Sequence, residues 1–423
     1  MEDFDFREIK EALKLPSEFE VPGDRWHRIE SFYGKVPKYF LERRKLIEIL
    51  DWFDIETDLV EAIFEKLEVV KSNHYWNILA YHLYDILFLD TGDDAGVVDA
   101  RSRSSISRLE NVVRKWPRLT GLLGDNSNLF YAFPYLYRIP EVLKMYRERG
   151  LSREIALATL RDLFLWMYEY KRQYGEWGLM ELGWFMLHFN LRLFQLGRLQ
   201  FEISRFGYDF HVLRNKQRGD ILMLAGEGMR FRGDGQFFDA DRVTASDYWE
   251  AHYESGESEY VGYIIDGRGF ATRELVHLSK GSWNEVLKRK DYALGVHIPA
   301  GGKPPGHGPM SEERCEESFS MAREFFSRHF PEKHFGFFTC TSWMLDPQLK
   351  LYLKGNSNIV AFQRRFYLHP VPGADDRQIY ERVFSYDKSK WASAPAVTSL
   401  QRVIRQHEAH GGKWRITGGV FPL

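Results

Sequence analysis

Two spacings of apolar residues divide this chain. Up to about residue 195 they recur every three or four positions: Leu46, Ile49, Leu50 and Phe53, then Leu59, Ile63 and Leu67, then Tyr75, Leu79, His82, Leu83 and Ile86. That spacing lays one continuous stripe along a helix. Pro37, the turn Thr91-Gly92-Asp93-Asp94, Pro117, Pro134 and Pro140 punctuate the pattern, since such residues interrupt regular backbone. The strongest helical stretch starts at Ser152 and carries Ile155, Leu160, Leu163, Trp166 and Met167 on one face. Gly175 and Gly178 break it, and a second helix is predicted from Leu179 to Gln195. Residues 1–196 thus read as an all-helical N-terminal domain.

After Gly197 the period falls to two. Leu199 to Phe206 alternates, Ile221 to Ala225 is a short apolar run, and Met229 to Phe237 has a glycine turn at its middle. Tyr260–Ile265 and Phe270–Leu278 flank an Asp266-Gly267-Arg268-Gly269 turn and predict a hairpin. Ser282 to Arg289 predicts a short helix. A strand over 292–298, a helix from Ser311 with Cys315, Phe319, Ala322 and Phe326 inward, and a strand from Phe335 to Thr341 follow. Asp346-Pro347 then marks a helix start running through Leu353, Ile359 to Leu368 predicts a further strand, and the tail predicts a helix over 397–407 and a terminal strand bracketed by Gly411-Gly412 and Gly418-Gly419. The expected fold class is α+β: the helical domain, then residues 197–423 as a mixed sheet flanked by helices.

The chemistry gathers around residues 291–308. On the first strand Tyr292, Leu294, Val296 and Ile298 share one face and Ala293, Gly295 and His297 the other. The small face admits either a ligand arm or, more commonly, a packed helix. His297 closes that face just before Pro299. An imidazole there suits a general base, with an ordinary pKa near 6.5; a hydrogen-bonded strand-end residue is the plainer reading. Gly301, Gly302, Gly306 and Gly308 permit the close backbone approach a phosphate needs, and Lys303 adds a donor. Against this, Pro304, Pro305 and Pro309 each delete an amide, and Glu312 and Glu313 place negative charge in the next helix's first turn.

Bulk properties narrow the options. The chain has 423 residues, 58 basic and 60 acidic side chains and a net charge of -2, too balanced for counterion-driven binding of nucleic acid or an anionic membrane. No window nears the roughly 18 apolar residues of a membrane span, and two cysteines, Cys315 and Cys340, suit a reducing compartment. A soluble, cytoplasmic protein is expected. Aromatic residues make up 16% of the chain, which speaks for packing first. The histidines are scattered, with no His-Glu-x-x-His or Cys-x-x-Cys spacing, so no metal is expected. No Ser-His-Asp or Cys-His arrangement is legible either.

Gly197-Arg198-Leu199-Gln200-Phe201-Glu202, Val296-His297-Ile298-Pro299, Ser318-Phe319, Thr339 to Pro347 and Ser357-Asn358-Ile359-Val360 resemble segments of a bacterial acyltransferase family. In that family a helical N-acyltransferase N-terminal domain precedes a GNAT-like C-terminal domain. The resemblance implies acetyl-CoA or another acyl-CoA as co-substrate and a small-molecule amine as acceptor. It makes 292–298 the strand that splays and pairs with pantetheine, with Val296 and Ile298 on it. The loop Gly301, Gly302, Lys303, Gly306 and Gly308 would then face the pyrophosphate. Lys303-Pro-Pro-Gly306-His-Gly308 keeps the family's spacing with lysine at the first place. The resemblance further implies an amine attacking a thioester directly, with His297 or a water-linked Glu202 as base and Tyr352 protonating the thiolate. The alternative is a non-catalytic binding or scaffold protein that keeps a degenerate GNAT fold.

Overall fold

The computed structural model describes residues 5–21, 36–88, 112–238, 248–299, 309–384 and 391–423. They fall into two compact units, one from the first 196 residues, the other from Gly197–Ile298 and Pro309–Leu423. The chain is α+β: helices dominate the first unit and sheets the second.

The first unit is built from α1 (Phe6–Ala12), α2 (Arg43–Leu50), α3 (Thr57–Ser72), α4 (His74–Phe88), α5 (Ala132–Glu148), α6 (Arg153–Leu160), α7 (Asp162–Tyr174) and α8 (Leu182–Phe189). Leu46, Ile49, Leu59, Ile63, Leu67, Leu79 and Leu83 all point into its core, as their spacing predicts. Ser152 caps α6, its side chain accepting the Ile155 N–H at 3.2 Å. The helix expected from Leu179 to Gln195 is shorter. Left-handed backbone at Glu181 (φ 61) and Leu191 (φ 52) brackets α8, and Leu193–Leu196 is strand β1. Helix-like spacing persists across those breaks because both the helix and the strand are buried on all sides.

The second unit holds two sheets. In the first, β2 (Leu199–Arg205), β11 (Tyr292–His297), β12 (Phe337–Ser342), β14 (Thr417–Pro422) and β13 (Tyr367–His369) lie side by side in that order. All pairs are antiparallel except β11 with β12. The second sheet contains β3 (Phe210–Asn215), β4 (Ile221–Ala225), β7 (Tyr253–Ser255), β8 (Glu259–Ile265), β9 (Ala271–Ser279) and β10 (Trp283–Leu287). The remaining strands, β5 (Arg230–Arg232) and β6 (Tyr248–Glu250), form a two-stranded ribbon. The expected hairpin is β8 and β9, with Tyr263 opposite Leu275.

Each face of the first sheet has its own cover. On one, Phe319 of α9 (Glu312–His329) meets the rings of Phe201, Phe338 and Phe421 at 5.8, 5.0 and 4.9 Å, so the Cys315, Phe319, Ala322, Phe326 stripe is core. On the other, Ala293, Phe337 and Val420 join Phe210, Val212 and Met223 of the second sheet in a single cluster. That second cover reaches only part way along the strands.

Three expectations are corrected. Ser282 to Arg289 is not a helix: Trp283–Leu287 is β10, paired with β3, and its register slips between Glu285 and Leu287. This bulge inserts one residue, so a period of two mimics the 3, 4 spacing of Trp283, Val286 and Leu287. Ile359 to Leu368 is not one strand: Ser357 caps a helix, α10 (Asn358–Gln363), by accepting the Val360 N–H at 3.3 Å, and only Tyr367–His369 is extended. Asp346 does start a helix, accepting the Gln348 N–H at 2.9 Å, but it is a 3-10 helix that ends at Leu351. The remaining α-helices among the described residues are α11 (Arg377–Val383) and α12 (Ser399–Ala409), the latter opened by a Thr398/Gln401 capping box.

Candidate active site

The parallel pair β11 and β12 is joined only at Leu294–Phe338 and Gly295–Thr339. Beyond that point each strand stays with its outer neighbour: β11 pairs with β2 as far as His297–Gln200, and β12 with β14 as far as Ser342–Thr417. The two central strands therefore part, and a cleft of about 270 Å³ opens at the split. Its floor is the small face of the sheet: Glu202, Ser204, Gly295, Thr339, Thr341 and Gly419. The loop joining β2 to β3, through Phe206, Gly207 and Tyr208, forms one wall, and His369 at the end of β13 lines it too.

Register places the polar groups. Glu202 lies directly opposite Gly295, and with no side chain at Gly295 the Glu202 carboxylate reaches past it to His297, Oε2 to Nε2, at 2.9 Å. Both side chains are partly shielded, 33% exposed for His297 and 17% for Glu202. The pair forms because residues two apart on one strand share a face. Across the cleft the Tyr208 hydroxyl bonds Thr341 Oγ1 at 3.0 Å. Burial raises the Tyr208 pKa, offset in part by that bond, so the phenol keeps its proton near neutral pH. Cys340 also lines the cleft, but burial pushes its thiol up to about 12. A thiol so weakly ionised is a poor nucleophile.

Of the residues expected to act, His297 and Glu202 are brought together and Val296 lines the cleft. Ile298 lies half buried just past β11. Gly301, Gly302, Lys303, Gly306 and Gly308 lie outside the described residues. Tyr352 is placed elsewhere: its hydroxyl bonds His407 Nδ1 at 3.0 Å, within a separate cluster that includes Trp414, Leu349 and Ile404. It is absent from the cleft lining. Tyr208 and His369 are the residues that sequence reasoning missed. Nothing local marks Tyr208, but His369-Pro370 repeats the logic applied to His297 before Pro299, a histidine at a strand end ahead of a residue that cannot continue the ladder.

Among the described residues, no group of His, Cys, Asp or Glu is arranged to hold a metal ion, and no helix is long and apolar enough to cross a membrane.

A mixed sheet whose central parallel pair parts over a cleft defines a GNAT-type acyltransferase fold. Residues 193–421 match the GNAT-like C-terminal domain, and residues 44–191 match the N-acyltransferase N-terminal domain. The chain belongs to this two-domain family. Among solved structures it is similar to an acyltransferase in complex with decanoyl-CoA and teicoplanin, with 20% identity and a TM-score of 0.62 over 99% of this chain and 100% of that one. It is likewise similar to an acyltransferase in complex with decanoyl-CoA, at 19% identity and a TM-score of 0.60, and to one with CoA and 10C-teicoplanin, at 19% and 0.58, with the same coverage. No curated protein matches the sequence.

Proposed function

We propose that this protein is an acyl-CoA-dependent N-acyltransferase that moves an acyl group from a CoA thioester to the amine of a small molecule by direct attack. The observation that carries this reading is the parting of β11 and β12 at Gly295 and Thr339, with the His297–Glu202 pair inside the split. Past the last paired residues, the β12-facing edge of β11 has no β12 partner. In this reading an extended pantetheine arm runs into the split beside that edge, where a backbone N–H polarises the thioester carbonyl. The solved neighbours hold decanoyl-CoA and teicoplanin, which supports a long-chain acyl donor and a small-molecule acceptor here.

In this reading the amine nitrogen attacks the thioester carbon and forms the C–N bond. The C–S bond then breaks, and sulfur leaves with its electron pair. Glu202 orients the His297 ring, and the pair takes the proton released by nitrogen. Tyr208, protonated and inside the cleft, gives its proton to sulfur, the role the family resemblance assigned to Tyr352. No covalent enzyme intermediate is required, in keeping with the weakly ionised Cys340.

The test follows CoA thiol release from acetyl-CoA and decanoyl-CoA in the presence of a panel of primary amines. His297→Ala is expected to lower kcat by about 10²- to 10⁴-fold, as for loss of a general base. Tyr208→Phe is expected to lower it by at least tenfold and Tyr352→Phe to leave it within twofold. No amine-dependent release by the unaltered protein would leave a binding or scaffold role. Equal effects of the two tyrosine substitutions would remove Tyr208 from the mechanism.

A further inference from the structure

The cleft holds a second imidazole with a role of its own. His369 ends β13 opposite Gly418 of β14 and is 1% exposed, yet it lines the cleft. Its Nδ1 lies 3.0 Å from the carbonyl oxygen of Pro370. A carbonyl only accepts, so Nδ1 carries the proton and the lone pair is on Nε2. The contact at Nδ1 leaves that lone pair for a donor in the cleft.

The ring is held from several sides. Tyr208 and Phe210 lie 4.8 Å from it, and Phe206 meets it edge-on at 5.9 Å. Gly418 sits flush against it: a Cβ there would fall 2.1 Å from Cε1 and 2.6 Å from Nε2. Phenylalanine would fill the same volume, but the neutral imidazole also presents an acceptor beside the cleft. A ligand that brings a donor into the cleft can meet it.

We propose that His369 accepts, through Nε2, a hydrogen bond from the nucleophilic N–H of the acceptor and so holds the amine in the cleft. This rests on the acyltransfer reading above. Burial lowers the ring's pKa to about 4, so it stays neutral at physiological pH. A neutral imidazole of this tautomer accepts a hydrogen bond without repelling a substrate that arrives as an ammonium ion. His297, tied to Glu202, takes the proton, while His369 orients the nitrogen that loses it. The substrate class that fits is a small molecule with an amine bearing at least one N–H. A tertiary amine has no hydrogen to offer Nε2.

Two measurements on the full chain test this. In protein labelled with ¹⁵N-histidine, His369 is expected as the Nδ1–H tautomer from pH 7 down to about 5, and its Nε2 resonance is expected to move when methylamine is added. A proton on Nε2 in the unliganded protein, or no response to methylamine, would overturn the proposal. With decanoyl-CoA as donor and hydroxylamine as acceptor, His369→Phe is expected to raise the KM for hydroxylamine by about 10- to 100-fold, the scale of losing one substrate hydrogen bond. The KM for decanoyl-CoA is expected to stay within twofold, and His369→Gln, which returns an acceptor near the Nε2 position, to recover most of the loss. Parallel changes for donor and acceptor, or glutamine no better than phenylalanine, would overturn it as well. If the unaltered protein releases no CoA thiol to hydroxylamine, the acyltransfer reading falls and the proposal with it. If it does so and the variants match it, only the role of His369 falls.

Discussion

Gly418→Ala is the sharpest test of how this cleft is built. Gly418 lies on β14, opposite both Thr341 of β12 and His369 of β13, so its backbone is held from both sides and has little room to retreat. An added Cβ would stand 2.1 Å from His369 Cε1 and 2.7 Å from Nδ1. The ring is walled by Phe206, Tyr208 and Phe210 and has to tilt against them. Overpacking of this kind costs about 1–3 kcal/mol. Tilting also breaks the bond from Nδ1 to the Pro370 carbonyl, worth about 1 kcal/mol. The expected loss is about 2–4 kcal/mol, read as a fall in the urea midpoint with unchanged slope. The control is the same substitution in a His369→Ala background, where the clash partner is gone. There Gly418→Ala is expected to cost at most about 1 kcal/mol, leaving a coupling of about 1–3 kcal/mol between the two sites. A full cost in both backgrounds, or none in either, would refute the reasoning.

Stability is expected to fall with acidification because of the same ring. The native pKa of His369 is about 4 against about 6.5 when unfolded, so between those values the unfolded chain binds a proton that the native ring refuses. Stability is therefore full above pH 6.5 and declines toward pH 4 by up to about 3 kcal/mol. His369→Phe is expected to flatten that part of the urea-midpoint profile, and an unchanged slope would disprove the assignment. In the helical unit, Asp162 Oδ2 accepts the indole N–H groups of Trp184 and Trp166 at 2.8 and 3.2 Å and lies 3.1 Å from His188 Nε2, with both the aspartate and the histidine almost fully buried. Asp162→Ala removes the acceptor of the two indole N–H groups and is expected to cost about 2–4 kcal/mol. A melting temperature equal to that of the unaltered protein would contradict this.

The chain itself states where its elements lie when local and global signals agree. Ser152, Ser311 and Thr398 each begin a helix and each accepts the backbone N–H three residues on. The change of period near Gly197 marks where helices give way to sheets. Local signals mislead at the β10 bulge, where an inserted residue counterfeits a helical stripe, and after Ser357, where the apolar run from Ile359 predicts a strand but the cap starts a helix. In both places neighbouring strands or a side-chain cap decide the backbone, and neither is visible in the spacing of apolar residues.

The candidate site divides in the same way. His297 stands out from sequence because it closes the small-residue face of an alternating strand, and strand alternation is a local property; Glu202 enters only through the family resemblance. That the two meet is decided by register: 86 residues lie between the end of β2 at Arg205 and the start of β11 at Tyr292, and a slip of one residue would turn Glu202 away from His297. Tyr208 lines the cleft and Tyr352 does not, for a related reason. Distance along the chain puts Tyr352 just beyond β12, but the 3-10 helix carries it into the Trp414 and His407 cluster. Strand alternation alone cannot bring Tyr208 or His369 into the cleft, because a loop from one end of the sheet and the short strand at its far edge converge only once the sheet has assembled. The helical and sheet halves, the strand faces and most helix starts were thus determined by sequence alone. The split between β11 and β12, and the side chains gathered in it, were decided by tertiary pairing, because hydrogen bonds between distant strands choose which partner each central strand follows.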